Sequence, residues 1–198
     1  MRQLAAALLA LVLLTPPALA EEPSDQVSRV NEVLIGAMKE AKTLGYQGRY
    51  DKLAPVLSEA FDFRTMARIS VGSHWNELSA AEKSQLVEGF ARLSIATFAD
   101  RFDGFSGERF EIQGEKPGPR ETVLVDNKIV KNDGEAVAIN YLLHKDGETW
   151  RIVDVYLDAK ISELAMKRSE YTAVIDNQGF ERLMSIIEDK LARIASAS

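Results

Sequence analysis

WRIVDVYLDAKISELAMKRSEY, residues Trp150–Tyr171, is the stretch whose reading decides the fold. Its first half is apolar at nearly every second position, the period of a strand that rests one face on a core. After Asp158 the period lengthens. Ile161, Leu164, Ala165 and Met166 fall at helical steps, so the chain passes from strand to helix within a few residues.

Three more strands precede this one. Phe110 and Ile112 alternate with Arg109, Glu111 and Gln113, and Gly114–Pro119 reads as a turn-rich break. Thr122–Val130 alternates less cleanly. Glu135–His144 carries Val137, Ile139, Tyr141 and Leu143 on one face. Asn132-Asp133-Gly134 and Asp146-Gly147 are hairpin turns, because Asn and Gly tolerate the positive φ that tight turns require. Four strands joined by tight turns predict an antiparallel meander.

Helical periods flank the meander. Val27, Val30, Leu34, Met38 and Ala41 predict a helix over Val27–Leu44 that Gly45 ends. Tyr50–Ala60 is a second helix, weakened by Pro55. Asp62 caps a third over Phe63, Met66, Ala67 and Ile69, as far as Gly72. Ser79 with Glu82 is a capping box that opens a long helix, with Leu86, Phe90, Leu93, Thr97 and Phe98 on its inner stripe. Beyond Gly179, Phe180, Leu183, Met184, Ile187, Leu191 and Ile194 form a last amphipathic stripe. The expected class is α+β: a four-stranded antiparallel meander packed against helices on one face.

The first twenty residues read differently. Arg2 precedes the unbroken apolar run Leu4–Leu14, and Ala18-Leu19-Ala20 is a small-x-small cleavage site. This predicts a secretory signal peptide over 1–20, cleaved after Ala20, and a single domain over 21–198 in the periplasm. The 198 residues hold 24 Lys and Arg against 30 Asp and Glu, a formal net charge of −6. That balance does not suit nucleic acid, whose binding relies on neutralising phosphates. With no cysteine, thiol nucleophiles and thiolate metal sites are excluded.

Catalytic signals are sparse. His74 and His144, the two histidines, have no partner at metal-ligand spacing. There is no G-x-S-x-G elbow and no glycine-rich phosphate loop. Asp154 interrupts the apolar run Ile152-Val153-Asp154-Val155. It is either a structural acceptor or a general base with Tyr141 or Tyr156 as donor. Strict alternation would place Asp154 and Tyr156 on one face, Val153 and Val155 on the other. Lys167, Arg168 and Glu170 read as a solvated helix face. No catalytic residue, metal or cofactor is assigned, and the expected class is a non-enzyme.

The apolar excess has two readings. Phe63, Met66, Phe90, Phe98 and Phe102 can meet Val137, Ile139, Tyr141 and Leu143 as a closed core, or line a cavity for an apolar guest. A closed core would suit an adaptor that binds only other proteins.

A resemblance bears on that choice. Trp150-Arg151-Ile152-Val153-Asp154-Val155, Ser162, Arg168, Glu170-Tyr171, Gly179-Phe180 and Leu183 resemble in order and spacing the MlaC family of periplasmic lipid-binding proteins, the toluene-tolerance auxiliary family. Phe61-Asp62-Phe63-Arg64-Thr65-Met66-Ala67 and Trp75 before Leu78-Ser79 also resemble it. The likeness extends over about Val27 to Leu191. Many members carry Gly-Val-Ser where this chain has Lys160-Ile161-Ser162, and Leu44–Tyr50 looks more like a branch found with hopanoid-synthesis loci. The resemblance implies an NTF2-like cone that carries a phospholipid or hopanoid. Its implied partners are an inner-membrane ABC transporter with an MCE-domain subunit and an outer-membrane lipoprotein complex, in upkeep of outer-membrane lipid asymmetry. Phe63, Met66, Phe90, Phe98, Val137, Ile139, Tyr141 and Val155 would be the lipid-tail contacts.

Overall fold

The computed structural model describes residues 22–197, so the expected signal peptide and its cleavage site lie outside the described residues. The chain runs α1 (Pro23–Lys39), α2 (Ala41–Ala60), α3 (Phe63–Ser70), a 3₁₀ turn (Gly72–Asn76) and α4 (Ala80–Arg101). The strands follow as β1 (Arg109–Pro117), β2 (Val123–Val130), β3 (Ala136–Asp146), β4 (Thr149–Leu157) and β5 (Ile161–Ser162). α5 (Glu163–Gln178) and α6 (Phe180–Ala197) close the chain. The sheet is α+β in class and antiparallel in order β1-β2-β3-β4-β5. It has five strands, where the sequence predicts four. The fifth is a two-residue strand that pairs Tyr156 with Ser162 and Leu157 with Ile161, too short to show a period of its own.

Two helix boundaries also differ from expectation. The first helix stops at Lys39, and Gly45 lies inside α2 at φ 60°, ψ −173°. A backbone there demands glycine, and a helical run ends at Gly45 as the sequence implies: α2 is two helical pieces that meet at this kink, the first of them set off from α1 at Glu40. Pro55 is accommodated in the same helix. Gly114 likewise falls within β1, where the register with β2 shifts between Ile112 and Gly114. The local caps form as the sequence implies. Asp62 Oδ1 accepts from Thr65 N at 2.9 Å, and Ser79 and Glu82 close a reciprocal capping box.

One irregularity reorients the central strand. Leu142 pairs with Asp154 but Leu143 pairs with Ile152, so Val153 bulges out of the β3–β4 ladder. A bulged residue resets which side chains share a face. Ile152, Val155 and Leu157 therefore stand opposite Leu143, Tyr141 and Ile139 on the inner face, and Asp154 and Tyr156 lie on the other. The expected sharing of a face by Val153 and Val155 does not hold.

The helices bury that inner face. α1, α2, α3 and α5 lie against β4, α1 also reaches β1 and β2, and α6 packs on α4 and α5. Gly89 of α4 permits the α4–α6 approach, since a Cβ there would stand 3.0 Å from Met184 Cε and 3.3 Å from Ile187 Cγ2. A buried polar link ties α1 to the sheet. Asn31 Nδ2 donates to Asn127 Oδ1 at 3.0 Å, and Asn127 N donates to Asn140 Oδ1 at 3.1 Å. The joint between α2 and α3 is fastened to β4: Phe61 bridges Ile152, Asp62 N donates to Ile152 O at 2.9 Å, and Arg151 Nη2 donates to Phe61 O at 2.7 Å. Among the described residues no helix is long and apolar enough to cross a membrane.

Candidate functional site

That fastening places Phe61 at the wall of a cavity of about 130 Å³ between sheet and helices. Phe61 and Met66 enter from the α2–α3 side. Ser94, Thr97, Phe98, Arg101 and Phe102 enter from α4, Ile139 from β3, and Val155 and Leu157 from β4. Glu163 and Lys167 enter from α5. The two α4 hydroxyls are spent on their own helix: Ser94 Oγ donates to Phe90 O at 2.8 Å and Thr97 Oγ1 to Leu93 O at 2.7 Å. Such back-bonding leaves the cavity wall apolar.

Aromatic rings frame the space. Phe61 stacks on Phe63 at 5.4 Å and meets Phe98 edge-on at 5.7 Å, and Phe98 stacks on Phe102 at 5.9 Å. Phe61 also borders a more polar surface groove of about 800 Å³ that holds Asp62, Arg64, Lys83 and Arg151. One ring thus separates an internal apolar space from an open one.

The predicted tail contacts divide into two groups. Met66, Phe98, Ile139 and Val155 line the cavity. Phe63, Phe90 and Tyr141 are buried in the core behind it, and Val137 is half-buried on β3 away from the lining. Phe61, Arg101, Leu157, Glu163 and Lys167 line it without having been singled out. Phe61 had a legible signal, as the apolar residue just before the Asp62 cap. Lys167 had none, because a lysine beside Arg168 and Glu170 has the pattern of a solvated face. In the fold its ammonium stands 5.7 Å from the centre of the Phe90 ring and 5.9 Å from that of Tyr171. Burial, the largest influence, lowers its pKa.

Asp154 is not in the cavity lining. Its Oδ1 accepts from Val155 N at 2.8 Å and Leu164 N at 3.1 Å, and its Oδ2 accepts from Ser162 Oγ at 2.5 Å. Burial nonetheless holds its pKa above the usual carboxylate value. Its oxygens are committed to holding the β4–α5 connection, which removes the general base on which an enzyme reading rested. His74 Nε2 lies 2.9 Å from Asp176 and joins the 3₁₀ turn to α5. His144 Nε2 lies 3.0 Å from Asp62 Oδ2, close enough for an ion pair but not aligned for a hydrogen bond. Among the described residues no group of three or more His, Cys, Asp or Glu is placed to hold a metal ion.

Comparison with known proteins agrees with this architecture. A phospholipid-binding protein from Ralstonia solanacearum, solved in complex with a phospholipid, has a similar fold: TM-score 0.78 at 18% identity, over 88% of this chain and 99% of that one. No curated protein matches the chain. The family model for MlaC protein matches residues 28–189, which takes in every element from α1 into α6. By that match the chain belongs to the MlaC family.

Proposed function

We propose that this protein is a periplasmic phospholipid carrier that buries the tails of its lipid between sheet and helices. The observation that carries the reading is the apolar cavity framed by Phe61, Phe98, Ile139 and Val155. Removing each methylene from water contributes about 0.8 kcal/mol, so even part of one acyl chain provides useful affinity. The cavity is smaller than the roughly 300–1,000 Å³ of ordinary ligand sites. Lipid entry therefore requires side chains to yield, and displacement of Phe61, which lines both spaces, would join the cavity to the neighbouring groove. Met66, Phe98, Ile139 and Val155 act as direct tail contacts. Phe63, Phe90, Tyr141 and Val137 form the layer that shifts to admit more chain. No covalent step is involved.

Membership of the family and the fold shared with a phospholipid complex support this reading. The carrier would receive lipid from, and deliver it to, an inner-membrane MCE-domain ABC transporter and an outer-membrane lipoprotein complex. A hopanoid cargo remains the alternative within the family. The segment Leu44–Tyr50, which prompted it, sits around the bend of α2 and does not line the cavity. Native mass spectrometry of the exported protein, with organic extraction of what it holds, tests the proposal. A bound phospholipid is the expected result, a hopanoid selects the alternative, and a lipid-free mass that persists after incubation with both overturns the carrier.

A further inference from the structure

The cavity wall is apolar, yet three charged groups stand on it. Arg101 is the last residue of α4, Glu163 the first of α5, and Lys167 lies one helical turn further on. Neither cation makes an ion pair or a hydrogen bond among the described residues. Other cations of the neighbouring helices do: Lys190 of α6 is 2.6 Å from Glu170, and Arg92 of α4 is 2.9 Å from Glu188. Glu163 acts on Lys167 through space but lies beyond ion-pair distance. Lys167 is also partly desolvated, half-buried over the faces of Phe90 and Tyr171. Keeping an unpaired ammonium out of water has a cost, and an anion arriving at the cavity would relieve it. Charge-assisted hydrogen bonds from Lys and Arg to phosphate are among the stronger polar contacts proteins make.

We propose that Lys167 and Arg101 anchor the phosphodiester of a lipid headgroup while the tails occupy the cavity beside them. The two cations outnumber the one carboxylate, so a phosphodiester meets net positive charge. Glu163 lies where a cationic headgroup substituent would be welcome and a second anionic group would not. The carrier then distinguishes phospholipid from an uncharged lipid of equal tail length. This rests on the lipid-carrier reading and adds a headgroup preference to it.

The test is competition for the full exported protein between phosphatidylethanolamine and diacylglycerol with identical chains, read by native mass spectrometry. Wild type is expected to prefer the phospholipid by about tenfold or more. Lys167→Met keeps an unbranched stem over Phe90 and Tyr171 and is expected to erase most of that preference. Its melting temperature should stay close to that of wild type, because the methionine stem keeps the contact with both rings. Arg101→Gln, on an exposed position, should reduce the preference independently, and Lys167→Arg should restore it. Unchanged selectivity in Lys167→Met and Arg101→Gln overturns the anchor and leaves the carrier standing. Equal uptake of both lipids by wild type has the same meaning. Binding of inorganic phosphate alone at the same two residues, indifferent to any tail, would replace the headgroup site with a free-anion site. Failure to bind either lipid would sink the carrier reading as well.

Discussion

Ser162 Oγ donates a 2.5 Å hydrogen bond to Asp154 Oδ2, and the same hydroxyl accepts from Ala165 N at 2.9 Å. Ser162 is the N-cap of α5, so one carboxylate on β4 fixes the start of the helix that brings Glu163 and Lys167 to the cavity. Asp154→Ala strands Leu164 N and the Ser162 hydroxyl and should cost about 2–3 kcal/mol, measured by urea unfolding. The pH dependence follows from the raised pKa of Asp154. The folded chain holds this proton more readily than the unfolded one. The group's contribution is therefore most favourable below its ordinary value and declines as pH rises through the folded pKa. Asp154→Asn should remove that decline, and an unchanged stability profile would show that Asp154 does not titrate in this range.

Asp62 behaves in the opposite sense. Burial acts to raise its pKa, but the Thr65 hydrogen bonds, His144 and Arg151 together prevail and lower it. Its stabilisation is complete above the ordinary carboxylate value and is lost as pH falls through the folded pKa. Asp62→Ala should cost about 1 kcal/mol at neutral pH through loss of the cap. The difference from wild type should shrink in acid, as followed by thermal melts from neutral pH downward.

Filling the cavity separates folding from binding. Val155→Phe places a ring in the space between Phe61 and Ile139 and should cost about 1–3 kcal/mol in stability as overpacking. Retention of a lipid through purification should fall at least tenfold (an order of magnitude in Kd is about 1.4 kcal/mol). Undiminished lipid in this variant would place the tails elsewhere.

The Asn31–Asn127 pair joins α1 to the inner face of the sheet in a buried setting. Asn127→Ala leaves the Asn31 amide without its partner and takes a donor from Ile139 O of β3, and a loss of about 1–3 kcal/mol is expected. Asn31→Ala should remove less when added to Asn127→Ala than when made alone. A double-mutant cycle by chemical denaturation measures that coupling, and strict additivity would mean the two amides act independently.

Gly89→Leu tests the docking of α6. The Cβ alone would press on Met184 and Ile187, and the rest of the side chain has no room without displacing the helix. Destabilisation of about 1–3 kcal/mol is expected from overpacking, with amide exchange rising first in α6.

Much of this molecule is legible before folding is considered. The caps at Asp62 and Ser79, the hairpin turns and the apolar stripes of α4 and α6 are local devices. A capping carboxylate or an Asp-Gly turn acts over a few residues, so the information is contiguous in the chain. Gly45 is of the same kind, since its φ of 60° interrupts the helical run where the sequence places a stop, whereas the break at Glu40 carries no such signal. The two-residue strand β5 is shorter than any period.

The sequence by itself determined the antiparallel α+β layering, because side-chain periodicity and turn chemistry are carried residue by residue. It also supplied five of the cavity's lining residues, Met66, Phe98, Phe102, Ile139 and Val155, since these stand on inner faces whichever way the core closes. Tertiary structure alone decided that Ile152 rather than Val153 shares the inner face with Val155, because the bulge at Val153 appears only when β3 and β4 pair. It decided as well that Lys167 rests half-buried over the rings of Phe90 and Tyr171, which come from a different helix and a later turn of its own. A cavity is the difference between the volume that elements enclose and the volume that side chains fill, and neither exists until those elements meet.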